Sequence, residues 1–133
     1  MKTKNAFNTT YISILMIDAV ISLLLVTGYY VFYPKISDSV ITFSALIELF
    51  LCLFSIIFII YILIKRQEKI QLVLPIFFLI FFVGGYIDSH IIMAQGVNVM
   101  DLRNVHNVIS TIVELGAYVF ILIFGWHLLK RNK

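Results

Sequence analysis

This sequence has few charged residues, one cysteine and two prolines. Of its 133 residues, 13% are charged, against roughly 25% in soluble domains. The single cysteine, Cys52, has no second cysteine in the chain to pair with, which excludes an internal disulfide and a redox centre built on two cysteines. The segments between the apolar stretches are short, so we expect no separate soluble domain.

Four hydrophobic stretches make up most of the chain, in which 62% of the residues are hydrophobic. They cover about residues 11–33, 40–64, 70–94 and 105–129, and each is long enough for a helix of ~20 residues to cross a bilayer. The first stretch exceeds the roughly 7–15 residues of a signal-peptide core, and Asp18 interrupts it, so we interpret it as a retained helix. We therefore predict an all-α, polytopic integral membrane protein: residues 1–133 form a single domain, an antiparallel bundle of four transmembrane helices.

The basic residues are unevenly distributed among the segments outside these stretches. Of the ten Lys and Arg, eight lie before the first stretch, between the second and third, or after the fourth, and only Lys35 and Arg103 lie in the other two loops. Because short cytoplasmic segments are enriched in Lys and Arg, this asymmetry predicts an inner or plasma membrane protein with both termini in the cytoplasm. We interpret the net charge of +3 as a signal of orientation and predict no binding to nucleic acid.

Each stretch contains one carboxylate and neither Lys nor Arg. The acids are Asp18, Glu48, Asp88 and Glu114. An acid near the centre of a transmembrane helix costs at least about 2.5 kcal/mol, so one in every helix indicates a role in binding or in helix packing. Glu48 and Glu114 lie at similar distances from the outer ends of their helices. Helical spacing places them in two polar stripes, Ser44–Glu48–Cys52–Ser55 and Asn107–Ser110–Thr111–Glu114–Tyr118.

The polar stripes predict one shared interior, because the remaining faces are apolar and suited to lipid. Acids that are buried together without a cation cannot all be ionised. This chemistry favours an outward-opening cavity that binds or translocates a cation, a proton or a small polar or lipid-like ligand. The predicted ligand-binding residues are Glu48 and Glu114 at the centre, Asp88 and Asp18 above and below them, and Ser44 and Ser110.

Several alternatives stay open at this point. The acids could pair with a partner chain, which would make the protein an accessory subunit of a larger membrane complex, or the stripes could meet in a homo-oligomer. The protein could also be a membrane enzyme acting on a lipid or quinone, although no nucleophile motif identifies catalytic residues. Lastly, protonated carboxyl groups could only hold the helices together, at ~0.6 kcal/mol per hydrogen bond.

His90 and His106 are weak candidates for metal ligands. Asp88 and His90 are two residues apart, which turns them about 200° from each other on a helix, so both cannot face one ion on a regular helix. A haem held by two histidines would need His90 together with His106, at the outer rim. We therefore assign no metal and leave the cofactor unknown.

Gly84 and Gly85 form the single glycine pair of the sequence. Small residues in membrane helices let a neighbouring helix approach closely, and glycine pairs also mark bends. We predict a close-packing or bending point at this pair and not a ligand-binding loop.

Overall fold

The computed structural model describes residues 2–32, 38–98 and 103–133. Four long helices account for most of them: α1 (Lys2–Phe32), α2 (Asp38–Ile64), α3 (Val73–Ala94) and α4 (Val105–Arg131). A short 3-10 turn, Lys69–Leu72, precedes α3, and the described ranges contain no strand. All four helices are long and apolar enough to cross a membrane. The prediction of an all-α bundle of four such helices is confirmed.

The largest difference from the predicted segments lies at the start of α1, which begins at Lys2 and not near Tyr11. The residues before Tyr11 include neither proline nor glycine, so nothing in them terminates a helix. This first part of α1 also packs on the bundle, because the rings of Phe7 and Tyr61 lie with centroids 4.6 Å apart. The loop cation Lys35 lies outside the described residues.

Large apolar side chains cover the outside of every helix. Leu24, Phe50, Ile80 and Ile123, one from each helix, are exposed by 69%, 70%, 69% and 67%. Soluble proteins rarely expose contiguous apolar patches larger than a few hundred Å². Apolar residues on the outer surface of all four helices therefore indicate a surface that faces lipid.

The buried core includes an aromatic pair that joins α1 to α2. Tyr11 and Phe58 are fully buried and stack with their ring centroids 4.1 Å apart. The Tyr11 hydroxyl donates a 2.7 Å hydrogen bond to Ser55 Oγ, since the Ser55 hydroxyl itself donates to the carbonyl of Leu51. The phenol is thus buried with its hydrogen-bonding requirement met.

Polar side chains join three segments at one end of the bundle. Asn8 Nδ2 donates a 2.6 Å hydrogen bond to Gln67 Oε1. Arg131 lies 2.9 Å from the carboxylate of Glu68, and both side chains are substantially exposed. The beginning of α1 and the end of α4 therefore both contact the segment between α2 and α3.

The glycine pair of α3 is not a close-packing point, and that part of the prediction is wrong. A Cβ added to Gly84 or Gly85 would meet no described atom within 4 Å. Close approach occurs at Gly125 of α4, where a Cβ would lie 2.8 Å from both Cγ and Sδ of Met16 on α1. The tight contact between α1 and α4 thus depends on the missing side chain at Gly125.

Candidate functional site

A cavity of about 580 Å³ lies between α2, α3 and α4. Residues of α3 around Gly84 and Gly85 form one wall, residues of α4 around Ser110 form the other, and α2 contributes Ala45 and Glu48. Sites for small molecules commonly have volumes of roughly 300–1,000 Å³. The cavity is thus large enough for an organic ligand and not only for a single ion.

Three of the four acids of the apolar stretches line this cavity, namely Glu48, Asp88 and Glu114. Ser110 and Tyr118 lie in the same wall as Glu114, and none of the described lining residues is Lys or Arg. The structure therefore brings Glu48 and Glu114, from α2 and α4, to one shared space. Its carboxylates and hydroxyls can accept hydrogen bonds from a ligand and can balance a positive charge.

Glu48 is held in place by two other helices. Its Oε1 accepts a 2.9 Å hydrogen bond from the Tyr118 hydroxyl of α4 and a 3.2 Å hydrogen bond from Ser22 Oγ of α1. The sequence predicted Tyr118 on the polar face of α4 but not its pairing with Glu48. Helical spacing identifies residues that share a face; it does not identify partners on other helices.

Asp88 connects α3 to α4 at the end of the cavity nearest the start of α4. Its two carboxylate oxygens accept hydrogen bonds from His106 Nε2 at 2.8 Å and from Ser110 Oγ at 3.1 Å. Asn104 fixes the start of α4, because its side chain accepts hydrogen bonds from the backbone N–H groups of His106 and Asn107. This cap positions His106 opposite Asp88.

The two weak metal candidates have different surroundings. His90 lines the cavity, but its Nδ1 lies 2.9 Å from the carbonyl oxygen of Tyr86, one turn earlier on α3. His106 contacts Asp88 as described above. Within residues 2–32, 38–98 and 103–133, no group of three or more His, Cys, Asp or Glu side chains is arranged to hold a metal ion.

Asp18 and Ser44 do not belong to the residues that line the cavity. Asp18 is 6% exposed, and its buried Oδ2 has no hydrogen-bond partner in the described part of the chain. Asp18 lies one turn before Ser22 on the same face of α1, and Ser22 is the residue of α1 that donates a hydrogen bond to Glu48. Ser44 is partly buried on α2, one turn before Glu48.

The apolar walls of the cavity were not predicted from the sequence. They include Phe81, Phe82, Ile109 and Val113. The signal that could have located them is the position of Gly84, one turn before Asp88 on α3. A glycine one turn from an acid in an apolar helix leaves space that either a ligand or a neighbouring helix can occupy.

Comparison of the chain with protein-family models, with curated proteins and with solved structures finds no match. The chemistry of the cavity therefore carries the functional assignment.

Proposed function

We propose that this integral membrane protein binds or translocates a cationic ligand in the cavity between α2, α3 and α4. The observation that carries this proposal is the lining of the cavity, in which Glu48, Asp88 and Glu114 occur together without a Lys or Arg among the described residues. Burying a carboxylate is costly unless it is paired. A bound cation offsets that cost, and its attraction to the acids is strongest where water is excluded.

The contacts of the three acids support different roles. Glu48 is preorganised by Tyr118 and Ser22, so it presents a fixed acceptor at the inner part of the cavity. Asp88 is tied to α4 by two hydrogen bonds and is assigned to the outer end of the cavity. Glu114 faces the same space from α4, and we assign it the central contact with the ligand.

We also propose that the helices are antiparallel and that both termini lie in the cytoplasm. The distribution of Lys and Arg supports this orientation. The hydrogen bond between Asn8 and Gln67 and the ion pair between Glu68 and Arg131 support the antiparallel arrangement, because they join the first residues of α1 and the last residues of α4 to the segment after α2. In this orientation the end of the cavity at Asp88 lies toward the outside of the cell.

The proposal is tested by thermal unfolding of the purified protein with Na⁺, Ca²⁺, ethylammonium and dodecylammonium. A ligand that binds only the folded state stabilises it by ~2.7 kcal/mol at a hundredfold excess over Kd. We expect at least one of these cations to stabilise the wild type, and we expect Glu114→Gln, which keeps the size of the side chain but removes its charge, to abolish the effect.

Glu68→Gln is the matched control. It makes the same substitution at an exposed acid outside the cavity, so the cation should stabilise this variant as much as the wild type. If none of the four cations stabilises the wild type, or if Glu114→Gln responds equally, the cavity does not bind cations as proposed.

A further inference from the structure

The cavity borders on the lipid-facing surface between α3 and α4. These two helices contact each other much less extensively than α1 contacts α4 or α2 contacts α3. Ile80, Ile109 and Val113 line the cavity and are also exposed by 69%, 56% and 57%. The same residues thus form both the wall of the cavity and the outer surface of the bundle, so the cavity is open to the side.

The cavity is lined by both polar and apolar groups. Glu48, Glu114 and Tyr118 provide carboxylate and hydroxyl oxygens, and the rings of Phe81 and Phe82 and the side chain of Ile109 provide apolar wall. Gly84 and Gly85 leave the α3 side open, because a Cβ at either position would meet no described atom within 4 Å. A small hydrated ion would pair with the acids and leave the apolar walls without a partner.

We infer that the ligand is a single-chain amphiphile with an ammonium head group, which enters from the bilayer between α3 and α4. This inference rests on the proposed function and names the class of ligand. The ammonium group has the N–H donors and the positive charge to pair with Glu48 and Glu114. The alkyl chain lies along the apolar walls and extends out of the cavity between α3 and α4. An amphiphile with an anionic head is disfavoured, because the described lining offers three carboxylates and neither Lys nor Arg.

The test is saturation binding of radiolabelled dodecylammonium to the full-length protein in phosphatidylcholine nanodiscs, with empty nanodiscs as background. We expect saturable binding above this background. Unlabelled ethylammonium and dodecanol, which lack the chain and the charge respectively, should compete at least tenfold less well than unlabelled dodecylammonium.

Two glycine variants separate the cavity from the rest of the surface. Gly85→Leu fills the cavity and leaves all three acids in place, so it should weaken binding at least tenfold. Gly116→Leu adds the same side chain at a position on α4 that is open but does not line the cavity, and it should bind like the wild type. Leucine is a better helix former than glycine, so both variants should fold, and Gly84→Leu is a second variant for the same wall.

Each other outcome overturns the inference. If ethylammonium competes as well as dodecylammonium, the site takes small soluble cations, and the proposed function stands without the amphiphile. Equal competition by dodecanol shows that the head-group charge is not recognised. Unchanged binding in both Gly84→Leu and Gly85→Leu places the amphiphile elsewhere. Absence of saturable dodecylammonium binding overturns the inference, whereas the proposed function fails only if none of the four cations stabilises the wild type or if Glu114→Gln responds equally.

Discussion

The hydroxyl of Tyr118 on α4 donates a 2.9 Å hydrogen bond to the carboxylate of Glu48 on α2. The same oxygen of Glu48 accepts a hydrogen bond from Ser22 on α1. One carboxylate therefore joins three helices at the edge of a cavity that also contains Glu114. This arrangement gives Glu48 a structural role in addition to its proposed role in binding, and the two roles can be measured separately.

Tyr118→Phe should lower the free energy of unfolding by about 1 kcal/mol, because it removes one interhelical hydrogen bond and keeps the ring. Hydrogen bonds between membrane helices average ~0.6 kcal/mol and reach ~1.7 kcal/mol. Unfolding in mixtures of mild detergent and dodecyl sulfate measures the change. Tyr86→Phe at an exposed position of α3 is the control, and equal stability of the two variants would contradict this account. Adding Ser22→Ala should give a non-additive loss, since both donors bind one oxygen.

Asp18→Leu should raise the free energy of unfolding by about 1 kcal/mol, because a buried oxygen without a hydrogen-bond partner costs ~1–3 kcal/mol. Asp18 is almost fully buried and does not line the cavity, so cation binding should persist in this variant. The same unfolding and binding measurements apply. A less stable protein, or one that no longer binds, would show that Asp18 has a functional partner.

Gly125→Leu should destabilise the protein by about 2 kcal/mol, within the range for overpacked positions. Even a Cβ at this position would lie 2.8 Å from the side chain of Met16, so a leucine must displace the Met16 side chain or α1 itself. Gly116→Leu on the same helix has open space and should be at least as stable as the wild type. If Gly125→Leu unfolds at the same denaturant concentration as Gly116→Leu, the close contact does not contribute to stability.

The proposed orientation predicts opposite accessibility for two single cysteines introduced into a Cys52→Ser background. Gln95→Cys, in the exposed segment after α3, should react with a membrane-impermeant maleimide on intact cells. Lys133→Cys should react only after the cells are permeabilised. Labelling of both cysteines or of neither on intact cells would contradict the proposed orientation.

The four helices could be predicted from the sequence because hydropathy and helical period are local properties. The same period placed Glu48, Cys52 and Ser55 on one face of α2, and all three are partly or fully buried in the structure. The same period placed Glu114 and Tyr118 on one face of α4, and these two residues are also partly or fully buried. In each case a short window of sequence determines which residues share a face.

The contacts between helices could not be predicted in this way. The pairing of Glu48 with Tyr118 and the close approach at Gly125 depend on how far each helix is rotated and shifted relative to its neighbours. Two glycines on α3 and two on α4 look alike in the sequence, yet among these four only Gly125 meets a described atom of another helix. The space beside Gly84 and Gly85 becomes a cavity because α4 lies farther away there.

The central claim, that an ammonium group lies beside Glu48 and Glu114, is tested most directly by NMR of the protein in deuterated detergent. Nuclear Overhauser effects from the methylene next to the nitrogen of ¹³C-labelled dodecylammonium would report its neighbours. We expect cross-peaks to the rings of Tyr118 and Phe81, which line the cavity, and their loss in Glu114→Gln. Cross-peaks only to exposed rings such as Trp126, identical in both proteins, would contradict the claim.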